Sequence, residues 1–259
     1  MPLCIRDWSL RNPVQIAESI CSELNPSTKS EQTFSLIRKW MNECVLEHSV
    51  CQSSIDHRVL PTRLIYVDST ITSSKMLARI CRGESLPVQT PYITLSHCWG
   101  DTKFLTTTRT NLSSFELSIP VNSLSRTFQD ALFATVKLGF QYIWIDSLCI
   151  LQDDPEDWKQ ESRSMYRVYK NSSCNISASG FPDGVKGFLP TKRHIDPVPG
   201  SVTLRNQVPK PGCSTTQDDS GGCYYVTTKR PWTELRDGPI FSRAWTLQEQ
   251  LLVSAFEHT

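Results

Sequence analysis

The sequence lacks any apolar run approaching the ~20 residues that span a bilayer, and its opening MPLCIRDWSL has no continuous apolar stretch of the signal-peptide kind. The expected compartment is therefore the cytoplasm. Without a secretory route, the ten cysteines read as reduced core thiols, ligands or occasional reactive groups before they read as disulfides. Neither sign of charge dominates: 27 Lys and Arg stand against 26 Asp and Glu, so bulk electrostatics predict no nucleic-acid partner and no anionic membrane surface. There is no GxGxxG and no Walker loop, which excludes the ordinary cradles for dinucleotides and triphosphates. Internal repeats and long charge runs are also missing. What remains is a chain of 259 residues, long enough for one large domain or two modest ones, with an ample core.

The most informative stretch runs from Gln141 to Gly180. Tyr142 to Ile145 is a short apolar run that ends at Asp146 and is followed by Cys149, Ile150 and the polar cluster Gln152, Asp153 and Asp154, the pattern of a buried strand entering a polar loop. Asp154 as N-cap, Pro155 at the first helical position and Asp157 beyond them predict a helix from Pro155 to Lys170. Trp158, Met165 and Tyr169 recur at spacings of seven and four and define its expected inward face, with Glu161 beside that stripe. Cys174 to Ala178 reads as the next strand. Upstream, Tyr92 to Leu95 forms a strand with a loop from Ser96 to Gly100. Thr106 to Asn122 reads as a connection, and Leu124 to Leu138 as an amphipathic helix closed by Gly139. Strand and helix alternate, which predicts an α/β fold with a mainly parallel sheet flanked by helices.

The flanks are less regular. Residues 1–90 read as an N-terminal extension: mixed composition to Ser30, an amphipathic helix from Glu31 to about Glu47, a short strand within Leu60 to Val67, and turn and surface structure from Ser69 to Gly83. Cys44, His48, Cys51 and His57 bring together two thiols and two imidazoles, the ligand set zinc prefers, but their spacing is no standard finger pattern. A metal site and buried thiols both remain open there. Residues 182–239 are rich in proline and glycine and read as an irregular insertion, with a hairpin around Val202 to Leu204 and Tyr224 to Thr227. Trp245, Gln248, Leu251 and Leu252 then share a helical face, with Arg243 and Glu249 nearby.

In open α/β sheets ligands bind where strands end and helices begin. That rule makes Ser96, His97, Trp99, Gly100, Asp146 and Ser147 candidate ligand-binding residues, and Asp153, Trp158 and Arg243 are counted with them; Glu161, at the edge of an apolar stripe within two turns of a helix N-terminus, is a carboxylate that need not be there for solvation. Each has a plain alternative. The tryptophans Trp99, Trp144, Trp158 and Trp245 suit core anchors, Asp146 suits a loop cap, and Glu161 suits a buried ion pair. Cys98 beside His97 is no catalytic dyad by adjacency, since neighbours on a strand point to opposite faces.

YITLSHCWG, then LSRTFQDALFATVKLGFQYIWIDSLCILQDDPEDWKQESRSMYRVYKNSSCNISAS, then SRAWTLQEQLL match in order and spacing the pattern of the heterokaryon incompatibility (HET) domain of filamentous fungi. The resemblance covers Tyr92 to about Leu252. His97 replaces the family's common tyrosine, and Ser125 stands where proline is frequent. Family members also continue into a further strand, whereas this sequence ends at Thr259; the expectation of a short or inactive copy rests on that. The resemblance implies residues 91–259 as the HET domain, a TIR-like or flavodoxin-like fold, and an effector role in self/non-self recognition and regulated cell death. It implies incompatibility or receptor proteins as partners, or self-association. Through the distant TIR relationship, several of whose members cleave NAD, it implies NAD as a candidate substrate, with Glu161 as the matching catalytic helix glutamate. A non-enzymatic assembly module and an inactive copy stand as the other readings.

Overall fold

Five short strands build one mixed sheet in the computed structural model, which describes residues 27–47, 59–68, 76–101, 103–178 and 181–189, with the backbone of 200–204 and 222–226. In chain order the elements are α1 (Glu31–Glu47), β1 (Arg63–Val67), β2 (Ala78–Arg82), β3 (Ile93–Ser96), α2 (Leu112–Leu117), α3 (Arg126–Lys137), β4 (Tyr142–Trp144), the single turn α4 (Asp146–Cys149), α5 (Pro155–Lys170) and β5 (Cys174–Ser177). The strand order is β2-β1-β4-β3-β5. β3 runs parallel to β4 and to β5, while β1 runs antiparallel to β4 and to β2, so four strands point one way and β1 the other.

The three parallel strands follow the sequence second, first, third: β4 lies on one side of β3 and β5 on the other. That is the flavodoxin-like order, and it places a topological switch point at the carboxyl end of β3. The two crossover helices, α3 and α5, lead in opposite directions along the sheet, and right-handed connections then put them on opposite faces. Trp144, fully buried, packs edge-on to Tyr169 of α5 with ring centroids 5.7 Å apart. Ile143 and its register partners Ile65 and Ile93 point to the other face. Each such side chain taken out of water contributes about 1.5–3 kcal/mol.

Local chemistry accounts for the helix ends. Asp154 accepts hydrogen bonds from the amides of Glu156 and Asp157, and Pro155 follows it, so α5 begins where cap and dipole favour it. Ser125 caps α3 by accepting from the Phe128 amide. The N-terminal helix α1 docks on α3: Phe34 meets the Phe133 ring edge-on, and the Glu31 carboxylate reaches Arg38 at 2.7 Å and Lys137 at 3.0 Å.

Three expectations require correction. Ser69 to Gly83 is not all turn and surface, because Ala78 to Arg82 forms β2, in register with β1 from Arg63↔Arg82 to Val67↔Ala78, and buries Ala78, Ile80 and Cys81. Thr106 to Asn122 is more than a connection, since it carries α2, which packs against β2. Trp158 is not on the inward face of its helix; it is 48% exposed, and the buried face is Glu161, Met165, Val168 and Tyr169. The expected hairpin is present as β6 (Gly200–Leu204) paired with β7 (Gly222–Val226), with Val202 opposite Tyr224. Among the described residues no helix is long and apolar enough to cross a membrane.

Candidate functional site

The carboxyl ends of β3 and β4 define one edge of the sheet. Because β1 is antiparallel to β4, its first residue Arg63 lies at that same edge, and Arg82, its register partner, lies there as well. The loop residues expected to bind ligand and two arginines therefore share one end of the fold. They divide into two clusters.

The first surrounds Asp146. Its carboxylate accepts from the Trp99 indole N–H at 2.9 Å and from the Ser147 amide at 2.7 Å, and lies 3.8 Å from His97 Nδ1. His97 is boxed by aromatic rings, with Phe128 edge-on at 4.9 Å and Phe104 at 6.1 Å between centroids. Ser96, His97 and Ser147 are buried, and the Ser96 hydroxyl exchanges hydrogen bonds with the Asn175 side chain of β5. These rings and β5 account for the burial of His97 and Ser96, while residues 181–189 pass beside the loop at Gly100. Gly100 adopts φ +63, and a Cβ there would come within 2.8 Å of the Asp183 Cβ. The same segment is anchored on α3, where Asp130 accepts from the amides of Phe188 and Leu189 at 3.1 Å and pairs with Lys29 at 3.0 Å. Of the expected crevice, Trp99, Gly100 and Asp146 keep contact with solvent.

The second cluster surrounds Glu161, which is only 2% exposed. Arg63 donates through Nε to the Cys149 carbonyl at 2.6 Å and through Nη2 to both oxygens of Asp157. Asp157 also accepts from the Leu151 amide at 2.8 Å. Glu161 stands one helical turn beyond Asp157, with Oε1 4.0 Å from Arg63 Nη2 and without a hydrogen-bond partner. Burial raises its carboxyl pKa, a rise that the Thr62 hydroxyl bond and the Arg63 charge oppose. Thr62 and Arg63 also form part of the wall of a cleft of ≈ 510 Å³ between Val59–Arg63 and Arg82–Val88. The single turn α4 joins the clusters: its first residue is Asp146 and its last is Cys149.

The structure thus brings Ser96, His97, Trp99, Gly100, Asp146 and Ser147 into one neighbourhood and sets Glu161 in another. Asp153 takes the Arg109 amide at 2.8 Å and latches a loop. Trp158 joins neither cluster through any ring contact or hydrogen bond. Arg243 lies outside the described residues, as do Trp245 and, of the proposed zinc ligands, His48, Cys51 and His57. The Cys149 thiol is fully buried and its pKa is pushed up to about 12 by desolvation, which argues against a thiolate nucleophile there. Two partners went unnoticed, Thr62 and Arg63. The available signal was a charged residue at the mouth of the apolar run LIYV, together with two acids, Asp157 and Glu161, at helical spacing of four.

A family model described as heterokaryon incompatibility protein (HET) matches residues 92–249, more than half of the chain. The matched span contains β3, β4, β5 and both crossover helices, whereas β1, β2 and Arg63 precede it. No curated protein and no solved structure matches the chain.

Proposed function

The chain belongs to the heterokaryon incompatibility (HET) family, and from that premise we propose that it is an effector of fungal self/non-self recognition that triggers cell death by cleaving NAD. Heterokaryon incompatibility is the general role that membership supports. The cleavage reading rests on one observation: Glu161 is a buried carboxylate with an unpartnered oxygen, behind two residues that also line a cleft at the ligand-binding edge of the sheet.

In the proposed reaction the bond from ribose C1′ to the nicotinamide nitrogen breaks, and its electron pair leaves with nicotinamide. Water adds to C1′ and releases a proton, giving ADP-ribose. Glu161 stabilises the positive charge that develops at the ribose, which a carboxylate does best where water is excluded. Arg63 and Thr62 touch this carboxylate in the resting state, so substrate entry requires Arg63 to yield its contact with Glu161. Trp99, Gly100 and Asp146 are accessible for the rest of the dinucleotide, with Ser96, His97 and Ser147 supporting them from beneath. Partner incompatibility or receptor proteins, or self-association, would set when this happens.

Nicotinamide release from NAD by the purified protein, at concentrations that permit assembly, tests the reading. The parent is expected to release nicotinamide and Glu161→Gln to lose it by at least ~100-fold, the scale of one transition-state electrostatic contact. A second reading, a non-enzymatic assembly module, draws on the burial of Ser96, His97, Ser147 and Glu161. Death on overexpression in a fungal host by both proteins, with no nicotinamide released by either, would establish it instead.

A further inference from the structure

The cleft of ≈ 510 Å³ carries four charged side chains on its wall, Arg63, Arg82, Glu84 and Glu116, two of each sign. Arg82 and Glu116 pair across it at 3.0 Å and keep 60% and 29% of their side chains exposed. A balanced wall gives no net field to attract an ion, and burying an ion there would cost its hydration without a matching counter-charge. It offers instead a dense set of fixed donors and acceptors. Guanidinium groups donate in a planar fork, carboxylates accept at two oxygens, and the Thr62 hydroxyl does both. Leu60, Leu86, Val88 and Leu112 supply apolar surface between them. The volume falls within the usual range of about 300–1,000 Å³ for small-molecule sites. The backbone closes one end tightly, since the Gly83 amide donates to the Thr62 carbonyl at 2.9 Å and a Cβ at Gly83 would meet the Pro61 carbonyl oxygen at 1.9 Å.

From this arrangement we propose that the cleft is a sugar-binding site that takes a neutral, polyhydroxylated ring through a vicinal diol. Glu116 accepts from the diol and Arg82 donates to it once the two part, while the C–H face of the ring packs on Leu86 and Val88. The unpartnered oxygen of Glu161 stands behind Thr62 and Arg63, so a sugar seated here approaches a buried acceptor that no hydrogen bond satisfies. The identity of the sugar as a ribosyl group rests on the hydrolase reading above; the existence of the site does not.

Saturation-transfer NMR with methyl β-D-ribofuranoside on the full chain tests it. The parent is expected to saturate the probe, and methyl 2-deoxy-β-D-ribofuranoside, which lacks the vicinal diol, to lose at least about fivefold of that effect. Val88→Trp, at an exposed rim position, and Arg82→Leu should each cause a comparable loss. Val185→Trp, the same substitution at an exposed position outside the cleft, should cause none. Absence of transfer to the parent, equal transfer to the deoxy probe, or transfer that survives Val88→Trp and Arg82→Leu would overturn the assignment. The two proposals fail separately. NAD cleavage without ribofuranoside binding removes the cleft and leaves the hydrolase; ribofuranoside binding without nicotinamide release removes the hydrolase and leaves the sugar site.

Discussion

Replacing Arg63 by Met removes the guanidinium while keeping most of the stem volume, so the cost is electrostatic. Three contacts disappear together: Nε to the Cys149 carbonyl, Nη2 to both Asp157 oxygens, and the 4.0 Å approach to Glu161. The Arg63 and Asp157 side chains are 10% and 15% exposed, so the pair is largely shielded from water. Removing one partner of a buried pair costs about 3–5 kcal/mol, and an orphaned buried carbonyl about 1–3. Asp157 retains the Leu151 amide and some solvent, which points to the lower end, about 3 kcal/mol in all. Urea unfolding of the parent, Arg63→Met, Asp157→Asn and the double variant gives the quantity directly, provided the m-value is unchanged. The coupling energy between the two positions should be about 1.5–3 kcal/mol. A loss below about 0.5 kcal/mol for Arg63→Met, or a coupling of zero, would show that the pair behaves like exposed surface charges and would refute the account of this cluster.

Two further outcomes follow from the geometry. Because burial raises the Glu161 pKa in the folded state, the folded protein holds that proton more tightly than the unfolded chain; its stabilising contribution is complete below the ordinary glutamate range and is lost as pH rises through the raised value. Glu161→Gln cannot titrate, so its stability relative to the parent should climb with pH across that window and stay level below it, as read by denaturant midpoints; a difference independent of pH would contradict the assignment. Gly187 has φ +71 and a Cβ there would lie 2.3 Å from Asp130 Oδ2, so Gly187→Ala should cost about 1–3 kcal/mol and speed hydrogen exchange at Phe188 and Leu189, whereas unchanged protection would mean that Asp130 does not hold this segment.

The parts of the molecule legible in sequence are those specified by neighbours along the chain. The Asp154–Pro155 cap marked the start of α5, and the bounds expected for that helix, Pro155 to Lys170, are the observed ones. The apolar runs before Ser96 and Asp146 marked β3 and β4 for the same reason. What escaped depends on partners far away. β2 reads ARICR, an unremarkable string until β1 supplies its register. Trp158 belongs to the helical periodicity, but periodicity does not say where along the helix the sheet ends. Arg63 meets Asp157 across 94 residues, and nothing local to either announces the other. Ser96, His97 and Ser147 were expected to line a crevice and are instead buried, His97 among rings from Phe104 and Phe128 that no local pattern ties to it.

The position of β1 also sets the order in which this protein can be assembled on the ribosome. β1 and β2 form a local pair, but the other edge of β1 is completed by β4, which is synthesised some 75 residues after Val67. At about 5–20 residues per second, that edge waits for roughly 4–15 seconds in the nascent chain. During that interval LIYV is an unprotected, strongly β-forming segment, the kind that pairs with the wrong neighbour. Arg63 and Arg82 stand opposite each other at one end of this pair, and their neutralisation is completed in two steps, Arg82 by Glu116 of α2 before β4 is made and Arg63 by Asp157 of α5 after it.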